Sequence, residues 1–259
     1  MGLFRSSRPP AASLVAGDLI EVAGAPVRLR VNARARRVSL RIDARKGEVI
    51  ATAPSARRLN EAAAFAGERA DWMARQLQAL PKPVRLVPGD RLEVLGESHL
   101  LLSAAKRLEA GFIEHHEHGP VLAAFGQGDA FGRAALRLLK RQALEVLTER
   151  TEHYARVLNR PLPEISIGDA KGRWGSCRPA RLGAKGDKGR IRYSWRLVLA
   201  PYSVADYVAA HECAHLIEAN HGPKFWALVR QIHGSEKPSR DWLKHHGPRL
   251  HAFGRDRAT

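Results

Sequence analysis

The sequence predicts an α+β chain, with a strand-rich front carrying one helix and a second, helical part with a small sheet. Three patterns carry that expectation. Apolar and charged residues alternate across 27–53, a helical-period stripe runs through 129–158, and another helix-forming run follows Pro201. With 259 residues, 44% of them apolar, the chain can fill a sizeable core, which excludes global disorder and a disulfide-stapled miniprotein.

Taken in order, Val27, Leu29 and Val31, then Val38, Leu40 and Ile42, then 49–53 after Gly47 read as three strands. Pro54 and Ser55 close that run. Residues 59–80 read as a helix with Phe65 and Trp72 on one face, and Pro81 and Pro83 punctuate its end. Segments 91–95 and 99–102 flank a turn at 96–98 and predict a hairpin. Ala134, Leu136, Leu139, Ala143, Leu144 and Leu147 stripe the helix 129–158, which Asn159 and Pro161 end. Short strands follow at 165–167, 173–177 and 191–199, with a Gly- and Lys-rich loop over 179–189. The domain reading is a flexible tail over 1–22, a strand-rich part over 23–126 and a second domain over 127–259.

Lys and Arg total 43 against 26 Asp and Glu, a formal charge of +17. The excess is clustered. Residues 28–46 hold eight cations against Asp43, and 171–196 hold nine against Asp187. Such density favours a polyanion, because neutralised phosphates release condensed counterions. Nucleic acid is therefore a candidate partner through both segments, weighed against two merely solvated faces. Only Cys177 and Cys213 occur, without Cys-x-x-Cys spacing, and no apolar run approaches the roughly 18 residues of a membrane span. The apolar stretch 11–17 is too short for a leader, and Gly2 with Ser6 matches an acylation pattern only loosely. A soluble, cytoplasmic chain without membrane contact is expected.

Ser203 and Asp206 fit a capping box that starts a helix running through His211-Glu212-Cys213-Ala214-His215. At about 100° per residue, His211 and His215 lie about 40° apart and one turn apart, so both imidazoles reach a single ion. Glu212 falls on the flank, placed to take a proton from water activated by the metal rather than to ligate it, the division of labour of a zinc hydrolase. Cys213 points away. His221 follows as a third donor, yet a continuous helix would carry it roughly 9 Å beyond His215. A break is required. Asn220 tolerates a left-handed cap, and Gly222 with Pro223 cannot continue the helix, so the chain can fold back there. The spacing of the three histidines equals that of the metzincins, with Glu218 where those enzymes carry a turn glycine, which puts the turn later here.

A wider set of residues joins this constellation: Arg173-Trp174-Gly175-Ser176-Cys177, Ile191, Trp195-Arg196-Leu197, Ala200-Pro201, Asp206-Tyr207-Val208, then 211–216, Asn220-His221 and Phe225-Trp226. Together they resemble the YgjP-like metallopeptidases, zincins related to the SprT group. The likeness runs from about residue 28 to about 250 and is strongest in the second half. It implies a zincin-like catalytic part with a small sheet and an HExxH active-site helix. It also implies one zinc ion held by His211, His215 and His221, with Glu212 as general base. Two departures stand out: Cys213 replaces an aliphatic residue, and the loop 178–189 is longer and more basic than a compact turn.

The strand around Gly175 suits close backbone approach and pairing with an extended peptide, so Arg173, Gly175, Ser176 and Tyr207 form a candidate substrate groove, against a packing role for each. Arg173 and Tyr207 are the candidate oxyanion donors. Phe225 and Trp226 read as core, His115, His116 and His118 as a solvated hairpin tip, and His245 and His246 as no site. The expected function is zinc-dependent hydrolysis of peptide bonds in a polypeptide substrate. The alternatives are a metal-dependent nucleoside triphosphate pyrophosphohydrolase, which lacks a Gly-rich phosphate loop here, and a protease acting on proteins bound to DNA or RNA.

Overall fold

The computed structural model describes residues 14–43, 46–80, 84–115, 117–170, 172–181 and 186–254. Gly2, Ser6 and most of the expected tail lie outside the described residues, as do Arg45, His116, Lys171 and the middle of the basic loop. The fold is mixed α+β, and it divides between residues 82 and 83 into two compact units.

In the first unit, strands β1 (Leu19–Val22), β2 (Ala25–Val31), β3 (Ser39–Asp43) and β4 (Glu48–Ala53) form a sheet of order β1-β2-β4-β3. β2 runs parallel to β4, with Val27 opposite Val49, and the other pairs are antiparallel. Alternation puts Val27, Leu29, Val49 and Ala51 on the face that shares a core with Leu59, Ala62, Ala66 and Met73. The single helix expected over 59–80 is two, α1 (Leu59–Glu68) and α2 (Ala70–Gln78). Arg69 leaves helical geometry between them at φ −109°, ψ 22°, next to Gly67 and Glu68, where a glycine weakens the helical preference. β1 was not legible because it has only one alternating pair of apolar residues.

The second unit opens with β5 (Arg91–Val94), β6 (Glu97–Ser103), β7 (Gly111–His115) and β8 (Gly119–Ala124), ordered β5-β6-β8-β7. Leu95 and Gly96, at φ 54° and 89°, make the tight β5–β6 turn. Helix α3 (Asp129–Val157) then crosses the unit, and β9 (Glu164–Gly168), β10 (Gly175–Arg178) and β11 (Arg190–Ser194) form a sheet of order β10-β11-β9. The strand expected over 191–199 stops at Ser194. Its hydroxyl accepts from the Arg196 N–H at 3.4 Å and starts a 3₁₀ turn, Trp195–Leu199. Helices α4 (Tyr202–Ala214), α5 (Pro223–Ile232) and α6 (Lys237–Leu250) complete the unit, with α4 packed against α3, α5, α6 and β10. Leu92, Leu101 and Leu122 share one core with Phe131, Leu139 and Leu147 of α3. A division at 126/127 therefore falls inside that core. No helix among the described residues is long and apolar enough to cross a membrane.

Candidate metal centre

α4 is apolar on nearly every side, with Val204, Ala205, Val208, Ala209 and Cys213 all buried, so it forms the centre of its unit rather than a surface element. Its start differs from expectation. No Ser203–Asp206 capping box forms: Pro201 is the N-cap residue, and the Tyr202 N–H donates to the Leu95 carbonyl at 3.1 Å. Asp206 is engaged elsewhere, accepting from Arg150 Nε at 2.6 Å and from the Tyr154 hydroxyl at 3.0 Å. A carboxylate offered an arginine does not turn back to cap its own backbone.

The end of α4 also comes earlier than the sequence suggested. His215 is the C-cap residue, and the Ala214 carbonyl accepts from both Ile217 N–H (3.1 Å) and Glu218 N–H (2.9 Å), which tightens the chain into a turn. Asn220 is not left-handed. Gly222 is instead the N-cap of α5 and Pro223 its first residue, so the pair begins a helix rather than ending one. The Glu218 carbonyl lies 2.9 Å from His215 Nδ1 and fixes that nitrogen as the protonated one.

This turn returns His221 to the helix. Its Nε2 lies 3.1 Å from His215 Nε2 and 3.1 Å from His211 Nε2. Among the described residues these three histidines are the donor group close enough to hold one metal ion, with all ligand atoms within 4.8 Å of one another. Phe225, fully buried in the first turn of α5, lies under all three, with ring centroids 4.9, 4.5 and 4.7 Å from His211, His215 and His221. Trp226 stacks on His221 at 5.7 Å. Burial, then the neighbouring histidine charges, drives His211 down to about 3, and burial lowers His215 as well, so these two imidazoles stay neutral at physiological pH.

Glu212 is 5% exposed and packs across the backbone of Gly175 on β10. A Cβ there would sit 2.6 Å from Glu212 Cδ, so the carboxyl occupies the space that only glycine leaves. Burial pushes its pKa up to about 7, opposed by the charge of Arg173. The carboxyl and the three histidines line one cleft of about 570 Å³. Arg173, Gly175, Ser176 and Tyr207 line it too. Tyr207 is 4% exposed, its hydroxyl 3.4 Å from His211 Nδ1, and burial raises its pKa to about 12.

Cys213, as expected, turns into the core, toward the Thr151 carbonyl. Trp174, between Arg173 and Gly175 in the sequence motif, lines the cleft too, as do Arg240 and Leu243, which sequence reasoning missed. Arg240 holds its guanidinium 4.7 Å over the Trp226 ring, and Trp174 stacks on His251 at 5.0 Å. No motif marks Arg240: only the packing of α6 against α4 brings it near histidines some 20 to 30 positions earlier in the chain.

A family model described as YgjP-like, metallopeptidase domain, matches residues 36–246. No curated protein and no solved structure matches.

Proposed function

The chain belongs to the YgjP-like metallopeptidase family, and on that footing we propose that it is a zinc-dependent peptidase, with one zinc ion held by His211, His215 and His221 and with Glu212 as general base. The observation that carries this reading is the meeting of three imidazole nitrogens beside a buried carboxyl group in one cleft. The donor set suits the ion. Tetrahedral zinc–nitrogen bonds of about 2.0–2.1 Å place two nitrogens roughly 3.3 Å apart, near the 3.1 Å spacing around His221. His215 turns a lone pair toward His221, and a single proton on His221 Nε2 can bridge only one of its two nitrogen contacts. A central cation satisfies both.

When bound, zinc supplies Lewis acidity toward a carbonyl oxygen and toward water. Glu212, poised near neutrality by its burial, accepts the proton of the attacking water and returns it to the leaving amine. β10 is one of the two edge strands of its sheet and lines the cleft, so its free side offers N–H and C=O groups to an extended polypeptide. Arg173, Ser176 and Tyr207 flank that path. A second reading, hydrolysis of a nucleoside triphosphate, is favoured by one observation: two cations, Arg173 and Arg240, line the cleft.

Metal analysis is expected to return one zinc per chain. Glu212→Gln should keep the metal and cleave an unfolded polypeptide about 100- to 10,000-fold more slowly, whereas His215→Ala should lose metal and activity together. Turnover by a zinc-loaded Glu212→Gln protein would remove the base assignment. Pyrophosphate release from nucleoside triphosphates without polypeptide cleavage would remove the substrate class.

A further inference from the structure

The two basic segments look alike in sequence, and the structure treats them differently. In 171–196, Arg178 is held by Asp187 at 2.8 and 2.9 Å, Arg190 by Glu164 at 2.7 Å, and the fully buried Arg196 by Asp169. Arg173 belongs to the cleft already described. Arg178, Arg190 and Arg196 are thus paired, the first two of them on the surface, while the side chains of Arg181, Lys188 and Arg192 are exposed without a carboxylate partner among the described residues.

Among the described cations of 28–46, those with a carboxylate partner stand at the ends of the segment: Arg28 grips Glu48 through two bonds of 2.8 and 3.0 Å, and Lys46 lies 3.8 Å from the same carboxylate. Arg30, Arg34, Arg36, Arg37 and Arg41 are all exposed, and none has a carboxylate partner among the described residues. Their placement follows from register. Inner positions of the sheet pack under α1 and α2, so the odd-one-out positions of β2, β3 and β4 form an outer face. On it, Arg28 and Arg41 stand either side of Ile50 in one row, and Arg30 stands beside Thr52 and Ser39 in the next. The loop after β2 continues that end of the sheet with Arg34, Arg36 and Arg37, while the acids Glu48 and Asp43 share a row at the opposite end.

We propose that this outer face of the first unit's sheet is a nucleic-acid-binding surface that holds a duplex by its phosphates through Arg30, Arg34, Arg36, Arg37 and Arg41. Strands about 4.8 Å apart set neighbouring guanidinium groups on the order of 7–10 Å from one another, a lattice of charge rather than a single pocket. All five of these cations are arginine, whose planar fork meets phosphate oxygens in pairs. Thr52 and Ser39 add hydroxyl donors between them. The outer positions of these strands and the loop carry no aromatic side chain, which disfavours stacking on unpaired bases and anchoring in a lipid interface. Charge alone, without base contacts, makes the binding indifferent to sequence.

The test uses the full chain and needs no hydrolysis, so its outcome is independent of the peptidase reading. Anisotropy of a labelled 20-base-pair DNA duplex, titrated across salt concentrations, is expected to give an affinity that falls with salt at a log–log slope of about −3 to −5. Replacing Arg34, Arg36 and Arg37 with Gln should weaken binding at least tenfold and flatten the slope by about 2 to 3, while the triple Lys variant keeps most of it. Arg190→Gln, which alters a paired cation, should change neither. A parallel RNA duplex distinguishes the two sources of phosphate, and binding to either one supports the surface. Equal binding by wild type and the Gln variant, absence of duplex binding at 0.15 M salt, or capture of phosphatidylserine vesicles in preference to both duplexes would overturn the proposal.

Discussion

At Glu212 a carboxyl group has been taken out of water without a close ion pair, and that burial works against the fold. The folded carboxyl holds its proton up to about 7, whereas an unfolded one releases it near 4.5. Between those values the folded chain binds more protons than the unfolded chain, so stability falls as pH rises through that window and the full penalty is present above pH 7. In metal-free protein, Glu212→Gln is therefore expected to raise stability at pH 8 by on the order of 2 kcal/mol and to make little difference at pH 4. Thermal melts of the chelator-treated pair at both pH values check this, and a variant no more stable than wild type at pH 8 would count against it. The histidines were legible one by one because a four-residue spacing on a helix needs no tertiary knowledge. Phe225 and Trp226 were legible only as core; that they lie against all three imidazoles and against His221, respectively, depends on how α5 follows the turn.

Among the elements, β10 and α4 approach so closely that one atom matters. Gly175→Ala puts a methyl group where the Glu212 side chain lies. Overpacking of this kind costs about 1–3 kcal/mol, and urea denaturation should report a loss in that range together with a fall in polypeptide cleavage. Ser176→Ala, on the next residue of the same strand, should leave stability nearly unchanged. Equal behaviour of the two variants would mean that the strand shifts freely and that Gly175 is not required. The helix boundaries illustrate what local pattern misses. Ser203 and Asp206 form a sound capping box on paper, but Arg150 and Tyr154, more than 50 positions earlier, claim the aspartate. Gly222-Pro223 was read as a stop, yet the same pair is equally suited to a start, because proline at the first helical position lacks only an N–H that has no partner there anyway.

For the molecule as a whole, Arg196 ties together parts of the second unit that are distant in the chain. It is fully buried, paired with Asp169, donates from Nη2 to the Phe253 carbonyl at 2.8 Å and lies 4.7 Å over the Trp195 ring. Removing this buried guanidinium strips its bonds to Asp169, itself 32% exposed, and to the Phe253 carbonyl, at a cost of about 1.5–3 kcal/mol. Arg196→Gln should lose that much in chemical denaturation, while Arg190→Gln, whose exposed pair with Glu164 is worth about 1 kcal/mol at most, should lose far less. Similar losses in both would show that the Arg196 contacts are not a keystone of this unit.

The sequence by itself determined the α+β class, most of the strands, the long α3, and the helix that sets His211, Glu212 and His215 in order with His221 to follow. All of these rest on periodicity and spacing within a few turns of chain, where the backbone geometry alone sets which side chains share a face. Tertiary structure decided where α4 ends, that Arg240 reaches the cleft, and which cations of the basic segments are paired with carboxylates. Those outcomes turn on pairings such as Arg190 with Glu164 and Arg196 with Asp169, separated by 26 and 27 positions. Whether a cation is neutralised depends on what the fold brings within about 4 Å of it, and no local pattern contains that distance.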